Sequence, residues 1–236
     1  MTTELHHANS RGCAEHGWLS SRHSFSFADY YNPKRMGFGL LKVINDDVVQ
    51  PGKGFAVHPH RNMEIISIPL SGALRHRDNM GNHHIIRAGE IQVMSAGTGI
   101  THSEYNHSDS EAVNFLQIWV LPDKQNITPG YQQKMFPAEE RKNQFQLLIS
   151  PEPDSESLLI NQQAYFSMLD LEESKSVSYQ SHSDKNGVYL FIISGKVQVL
   201  DNVLTDKDAL AITDERAIAI SASSNSQILC IEVPML

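Results

Sequence analysis

Cysteines and long apolar runs are scarce in this sequence, and each scarcity excludes a class of protein. The 236 residues include only two cysteines, Cys13 and Cys230. This excludes a disulfide framework and a Cys-x-x-Cys metal site, and we expect both thiols to be reduced. No apolar run approaches the ~20 residues that span a bilayer. The N terminus has neither the basic start nor the apolar segment of a secretory signal, so we predict a cytoplasmic protein that does not enter a membrane.

Positive charge is also scarce. Nineteen Lys and Arg residues stand against 27 Asp and Glu residues, which gives a formal net charge of −8. Binding to the phosphates of nucleic acids needs clustered Lys and Arg, so we expect no direct contact with nucleic acid. The hydrophobic content of 40% is sufficient for a packed core.

Short apolar runs bounded by turn residues are abundant. These runs are rich in β-branched residues, and no long segment has a period of 3.6 residues. Only residues 111–114 and 138–142 suggest a helical turn. The pattern predicts an all-β sandwich or barrel. The predicted strands cover residues 40–44, 63–70, 73–78, 83–87, 91–94, 114–121, 146–149, 158–160, 164–169, 188–193, 196–200, 209–213, 217–221 and 227–233.

The two halves of the chain have similar patterns. Residues 66–72 and 190–195 are both apolar runs that end in Ser-Gly before another strand. Such self-similarity indicates two copies of one β fold. A polar segment, residues 123–144, connects them. We therefore predict an N-terminal domain over residues 1–135 and a C-terminal domain over residues 136–236.

Two pairs of potential metal ligands lie in the first half. One residue separates His58 from His60, and one separates His102 from Glu104. Side chains at i and i+2 share a face of a strand, so two adjacent strands would aim three imidazoles and a carboxylate at one point. This set suits iron, copper, nickel or zinc. The alternative for His58 and His60 is exposure at a sheet edge, because Pro59 weakens the prediction of a central strand.

The remaining histidines have weaker signals. The second half has only His182 before its Ser-Gly, with no ligand pair, so the second copy is predicted to be metal-free. The segment of residues 15–27, which contains His16 and His23, either packs across the mouth of a barrel or covers a sheet edge. We expect the others to be on the surface or satisfied in the core: His6, His7, His76, His83, His84, His107 and His182.

Glu64 follows His60 by four residues and has three interpretations. If the strand is regular, Glu64 shares the face of the histidines and could ligate the metal directly. A salt bridge to Arg61 or Arg75 is the structural alternative. We favour a role in orienting one of the imidazoles.

Both ligand pairs lie in motifs that resemble those of the cupin superfamily. More narrowly, residues 58–64 and 95–104 resemble the pirin branch, although Asn62 stands where the pirin motif often has Gly. The resemblance covers the whole chain. The two cupin-like motifs are Gly52-x5-His58-x-His60-x3-Glu64-x7-Gly72, and Gly89-x5-Ser95-x-Gly97 followed by His102-x3-Asn106.

The resemblance implies a bicupin, in which two similar double-stranded β-helix barrels follow one another. The N-terminal barrel would hold one divalent metal through His58, His60, His102 and Glu104. Iron(II) is the implied metal, and zinc, copper, nickel, manganese or cobalt are compatible with the same ligands. We expect a monomer.

The resemblance further implies a quercetin 2,3-dioxygenase, which cleaves a flavonol with dioxygen. Glu104 is then the best candidate for the catalytic base. An apolar wall would include Phe55, Met63, Ile65 and Met94. The alternative is an iron-binding regulatory or partner-binding module, because a eukaryotic relative is described as a transcriptional coregulator. Sugar isomerisation or another cupin reaction is a third option, since fold does not determine function.

Overall fold

The protein is built almost entirely of β-strands, as a computed structural model that describes residues 1–152 and 156–235 shows. The strands of the N-terminal half are β1 Thr2–His6, β2 Gly12–Glu15, β3 Leu19–His23, β4 Leu41–Val49, β5 Gly54–His60, β6 Glu64–Ser71, β7 Ala73–Asp78, β8 His83–Arg87, β9 Glu90–Ser95, β10 Ile100–Asn106, β11 Val113–Val120 and β12 Gly130–Met135. Those of the C-terminal half are β13 Gln146–Ser150, β14 Leu158–Leu159, β15 Tyr165–Leu171, β16 Ser176–Gln180, β17 Asn186–Ser194, β18 Val197–Val199, β19 Asn202–Leu204, β20 Ala209–Thr213, β21 Ala217–Ala222 and β22 Ser226–Pro234.

Each half forms a seven-stranded sheet and a four-stranded sheet. In the N-terminal half the strand orders are β12-β9-β6-β11-β4-β3-β2 and β5-β10-β7-β8. In the C-terminal half they are β1-β20-β17-β22-β15-β13-β14 and β16-β21-β18-β19. The two orders correspond strand by strand, which confirms the prediction of an all-β bicupin with two copies of one fold.

One of the two outermost strands of each seven-stranded sheet comes from a segment that the sequence did not reveal as a strand. Strand β1 pairs with β20, so the first residues of the chain lie in the sheet of the C-terminal half. Strand β12 pairs with β9 in the N-terminal half. Both cover edges that would otherwise present unpaired N–H and C=O groups. The domain boundary after residue 135 stays a prediction.

The largest apolar core lies between the two seven-stranded sheets. It combines side chains from both halves, including Ile44, Ile66 and Ile118 of the first half and Phe166 and Phe191 of the second. Alternation along each strand sends these side chains to the outer face of one barrel, where they meet the other. Burial of each such side chain contributes about 1.5–3 kcal/mol, so this core holds the two halves together.

Several smaller predictions have clear outcomes. A 3-10 helix covers Ala138–Arg141, as expected, whereas the helical turn expected over residues 111–114 is wrong because β11 begins at Val113. Cys13 is exposed, Cys230 is buried, and both are free thiols.

No helix in the described ranges has the length and apolar character that crossing a membrane requires.

Candidate metal centre

Strand β10 brings the two predicted ligand pairs together, because it lies between β5 and β7. His102 stands opposite His58 of β5, and Ile100 stands opposite His60. A β-bulge between His102 and Glu104 shifts the register, a device that re-aims side chains beside functional sites. Strand β5 is at the edge of its sheet, which explains why Pro59 is tolerated there.

The three predicted imidazoles form a compact triangle. The ring centroids lie 4.8 Å apart for His58 and His60, 4.5 Å for His58 and His102, and 4.9 Å for His60 and His102. One nitrogen from each ring lies within 4.8 Å of the others. A metal ~2.1 Å from each nitrogen would hold its ligand atoms roughly 3–4 Å apart, so the triangle fits a metal ion after small side-chain movements.

The protonation of these rings suits metal ligation. The Nδ1–H of His58 donates to the carbonyl oxygen of Ala56 at 2.7 Å, which leaves the Nε2 lone pair free. Burial, reinforced by the neighbouring imidazoles, lowers the pKa of His60 to about 4 and that of His102 to about 3. Neither ring nitrogen of His102 has a hydrogen-bond partner in the described part of the chain. Neutral imidazoles with free lone pairs are the form that binds metals.

Glu104 is buried beside this triangle, and the structure adds a histidine that was not predicted. Ser67 Oγ donates to Glu104 Oε1 at 3.0 Å. Glu104, His102 and His76 form a second group of three ligand atoms within 4.8 Å of one another. His76 stands opposite Glu104 on β7 and is fully buried.

The expectation that His76 is a satisfied or surface residue is wrong. Its Nε2–H donates to Asp78 Oδ2 at 3.1 Å, whereas its Nδ1 has no partner in residues 1–152 or 156–235. A carboxylate that orients a histidine in this way is typical of metal sites. The i, i+2 spacing of His76 and Asp78 on a predicted strand was the signal in the sequence that could have revealed this pair.

The interpretation of Glu64 as an orienting residue is wrong. Strand β5 ends at His60, and the chain turns at Asn62 with φ 50° before β6 begins. Asn tolerates this left-handed conformation, which accounts for Asn where the motif often has Gly. Glu64 therefore accepts a hydrogen bond from Ser95 Oγ at 2.8 Å and one from the backbone N–H of Asn161 at 3.2 Å, and it links the two halves.

The glycine-rich tract before His102 makes the tight turn that its sequence suggests. Gly97 has φ 47°, and a Cβ at this position would lie 2.1 Å from the carbonyl oxygen of Ile127. Gly99 follows with φ 142°. Only glycine accommodates this close approach, which leads the chain from β9 into β10.

A cavity of about 260 Å³ opens beside the imidazole triangle. His58, His60 and Glu104 form one part of its wall. The segment of residues 15–27 serves both of its expected roles, since β2 and β3 end the sheet while His16 and His23 line the cavity. Aromatic rings supply the apolar sides, namely Trp18, Phe27, Phe55 and Trp119, and polar groups line another part, namely Ser21, His23, Asn45 and Asp47.

The predicted apolar wall is correct only for Phe55. Met63 packs with Ile65 and Met94 in a separate cluster and does not line the cavity. The aromatic side chains that replace them belong to the turn between β2 and β3, the connection between β3 and β4, and β11, which approach the ligand strands only in the folded barrel. His60 contacts Trp119 edge to face, with ring centroids 5.0 Å apart.

Comparisons with known proteins agree with this geometry. Residues 5–120 match the family described as Pirin, and residues 147–233 match the family described as Quercetinase C-terminal cupin domain. A quercetin 2,3-dioxygenase of Escherichia coli K12 is 44% identical over 230 residues, which cover 98% of each chain. A pirin-like protein of Caulobacter vibrioides is 39% identical over 222 residues, which cover 94% of this chain and 95% of that protein. The E. coli pirin YhhW in complex with nickel(II) is 42% identical and superposes with a TM-score of 0.94 over 100% of both chains.

Proposed function

This chain belongs to the pirin family of the cupin superfamily, and from this premise we propose that it is a metal-dependent dioxygenase that cleaves a flavonol such as quercetin. One observation carries the proposal. Three clustered imidazoles and a buried carboxylate lie beside a cavity whose sides are aromatic.

The proposed ligands of one divalent metal are His58, His60, His102 and Glu104. The ring nitrogens of His102, which have no partner among the described residues, support this assignment, because buried polar atoms without partners cost about 1–3 kcal/mol each unless a ligand satisfies them. Nickel is bound in the E. coli relative, whereas the sequence resemblance implied iron(II). When bound, the metal would acidify a substrate hydroxyl and hold it close to dioxygen.

The residues of the chain provide binding, orientation and exclusion of water. Trp18, Phe27, Phe55 and Trp119 offer flat apolar faces to a planar aromatic substrate. Trp119 also limits the movement of the His60 ring through their edge-to-face contact. Ser67 holds one oxygen of Glu104 by donating to it. The role of Glu104 as the catalytic base stays a prediction, and it requires this carboxylate to leave the metal.

The test is restoration of activity with defined metals. Protein purified without oxygen is stripped of metal and then loaded separately with iron, nickel, manganese, cobalt, copper or zinc. The decay of quercetin and the release of carbon monoxide are then followed in air. We expect turnover in the common range of ~1–10³ s⁻¹ with at least one metal.

Two results would contradict the proposal. Full turnover by the metal-free protein would exclude the proposed role of the metal. Turnover well below ~0.1 s⁻¹ with every metal would favour a partner-binding or metal-sensing module instead. The monomeric state and the cytoplasmic location stay predictions.

A further inference from the structure

Asp47 is a buried carboxylate in the wall of the cavity that the metal centre does not use. It lies on β4, where Asn45 and Asp47 face the interior of the barrel and the intervening Asp46 faces away. Asp47 is 4% exposed, and Ser21 Oγ donates a hydrogen bond to its Oδ1. Its other oxygen has no donor in the part of the chain that the structure describes, and the residue lines the cavity.

The titratable side chains near Asp47 lie on three strands. Glu104 on β10 and Asp46 on β4 are the nearby carboxyl groups, and both act to raise the pKa of Asp47. The imidazole of His23 on β3 is hydrogen-bonded to Asn45 at 2.8 Å. Asp46 is paired with Lys207 at 3.1 Å and with Arg11 at 4.0 Å on the other face of the sheet. No salt bridge reaches Asp47 within the described ranges. Burial raises the pKa of Asp47 to about 7 against the opposing effect of the hydrogen bond from Ser21, and the neighbouring Asp46 and Glu104 add smaller upward effects.

Glu104 and Asp47 differ in what their oxygens are free to do. Ser67 already donates to one oxygen of Glu104, and the proposed metal would occupy the other. Asp47 belongs to neither group of potential ligands that the described residues form, so its free oxygen is available without disturbing the metal. A general base must have a free lone pair within reach of the proton that it accepts.

We propose that Asp47, rather than Glu104, is the catalytic residue that accepts the proton of the substrate hydroxyl. This rests on the proposed function. The hydroxyl O–H bond breaks, a carboxyl O–H bond forms at the free oxygen of Asp47, and the electron pair stays on the substrate oxygen. The proton returns to the carboxylate of the ring-opened product, so Asp47 is ionised again after each cycle.

The first test compares Asp47→Asn with Asp46→Asn in the metal-loaded protein. Asparagine keeps the shape of the side chain but cannot accept the proton. We expect Asp47→Asn to lower kcat for quercetin by roughly 10²-fold or more, with the metal content unchanged. Asp46→Asn changes the neighbouring carboxylate on the opposite face of β4 and should keep the wild-type kcat at high pH.

The second test measures binding without turnover. Quercetin is titrated into the metal-loaded protein without oxygen, and the absorbance of the bound molecule distinguishes the anion from the neutral form. We expect the wild type to bind the anion at pH 7, whereas Asp47→Asn should bind the neutral form and reach the anion only at higher pH. Equal spectra for both proteins would overturn the proposal.

Ser21→Ala provides a graded variant in case Asp47→Asn also loses metal or stability. It removes a hydrogen bond that favours the ionised carboxylate, so the acidic limb of the kcat profile should move to higher pH by roughly 0.5–1 unit. An unmoved limb would overturn the role of Asp47. If Asp47→Asn keeps the wild-type rate, only this assignment fails. If the wild-type protein neither binds nor degrades quercetin, the proposed function fails and this proposal with it.

Discussion

The two barrels share one strand order but have opposite interiors. In the C-terminal barrel, Ile218 and Ile220 of β21 join Leu190 in a cluster that is aliphatic apart from Tyr179 and Cys230. In the N-terminal barrel, the corresponding strand β10 carries His102 and Glu104. The same strand arrangement therefore supports a stabilising apolar core in the C-terminal barrel and a destabilising polar interior in the N-terminal barrel. The difference indicates that the N-terminal barrel keeps its polar groups for a ligand, since unpaired buried polar atoms are otherwise destabilising.

The largest effect should come from removing a ligand. We expect His102→Ala to lose bound metal and quercetin turnover together, with metal affinity reduced at least ~10²-fold, because the side chain belongs to both groups of donor atoms. Elemental analysis and quercetin decay measure both quantities. The control is His107→Ala, at an exposed position just beyond β10, which should change neither. A metal-free His102→Ala protein with full activity would contradict the assignment.

Truncating one buried side chain in each barrel should show how much each interior contributes to stability. Leu190→Ala leaves a cavity in the C-terminal barrel, so the free energy of unfolding should fall by about 2–5 kcal/mol. Ser67→Ala removes one hydrogen bond to Glu104 in the N-terminal barrel and should cost only about 1 kcal/mol. Urea denaturation of the metal-free proteins measures both. Equal losses would show that the polar interior contributes as much stability as the aliphatic one.

Glu232 lies at the centre of a buried hydrogen-bond network in the C-terminal half. Its carboxylate accepts hydrogen bonds from Tyr179 Oη, His182 Nδ1 and Asn186 Nδ2, each at 2.9 Å. Burial acts to raise its pKa, but these donors, together with the backbone N–H of His182, outweigh burial and the pKa is lowered. The stabilisation is therefore complete above its ordinary value of 4.5 and is lost as the pH falls through the lowered value.

We expect Glu232→Gln to lower the free energy of unfolding at pH 7 by about 1–3 kcal/mol. The difference from the wild type should shrink below pH 4, and quercetin turnover should not change. Denaturant titrations at several pH values provide the measurement. A difference that grows in acid would mean that the sign of the pKa shift is wrong.

The smallest effect is expected for Glu64→Gln. Glu64 contacts Ser95 and Asn161 instead of an imidazole, so metal affinity should equal that of the wild type. Burial raises the pKa of Glu64, hence its ionised form is disfavoured in the folded protein and removal of the charge is inexpensive. We expect a change in stability within about 1 kcal/mol. Isothermal titration with nickel would detect any loss of affinity, which would restore Glu64 to the metal centre.

The sequence predicted those parts of the molecule that leave a recognisable pattern within a few consecutive residues. Two pairs of residues with i, i+2 spacing identified the imidazole triangle, and alternating apolar runs identified the central strands. Strands β1 and β12 were missed because they are polar and become strands by covering sheet edges. Glu64 was misplaced because the turn at Asn62 breaks the strand parity. Asp47 had no local signal, since its proposed role depends on Ser21 and Glu104, which only folding brings near it.

The most direct test of the central claim is anomalous diffraction from crystals of the nickel-loaded protein, with data collected on both sides of the nickel absorption edge. We predict one strong peak in each chain, between His58, His60, His102 and Glu104, and none inside the C-terminal barrel. A peak elsewhere, or no peak among these four side chains at full nickel loading, would contradict the account of the N-terminal barrel as a metal centre.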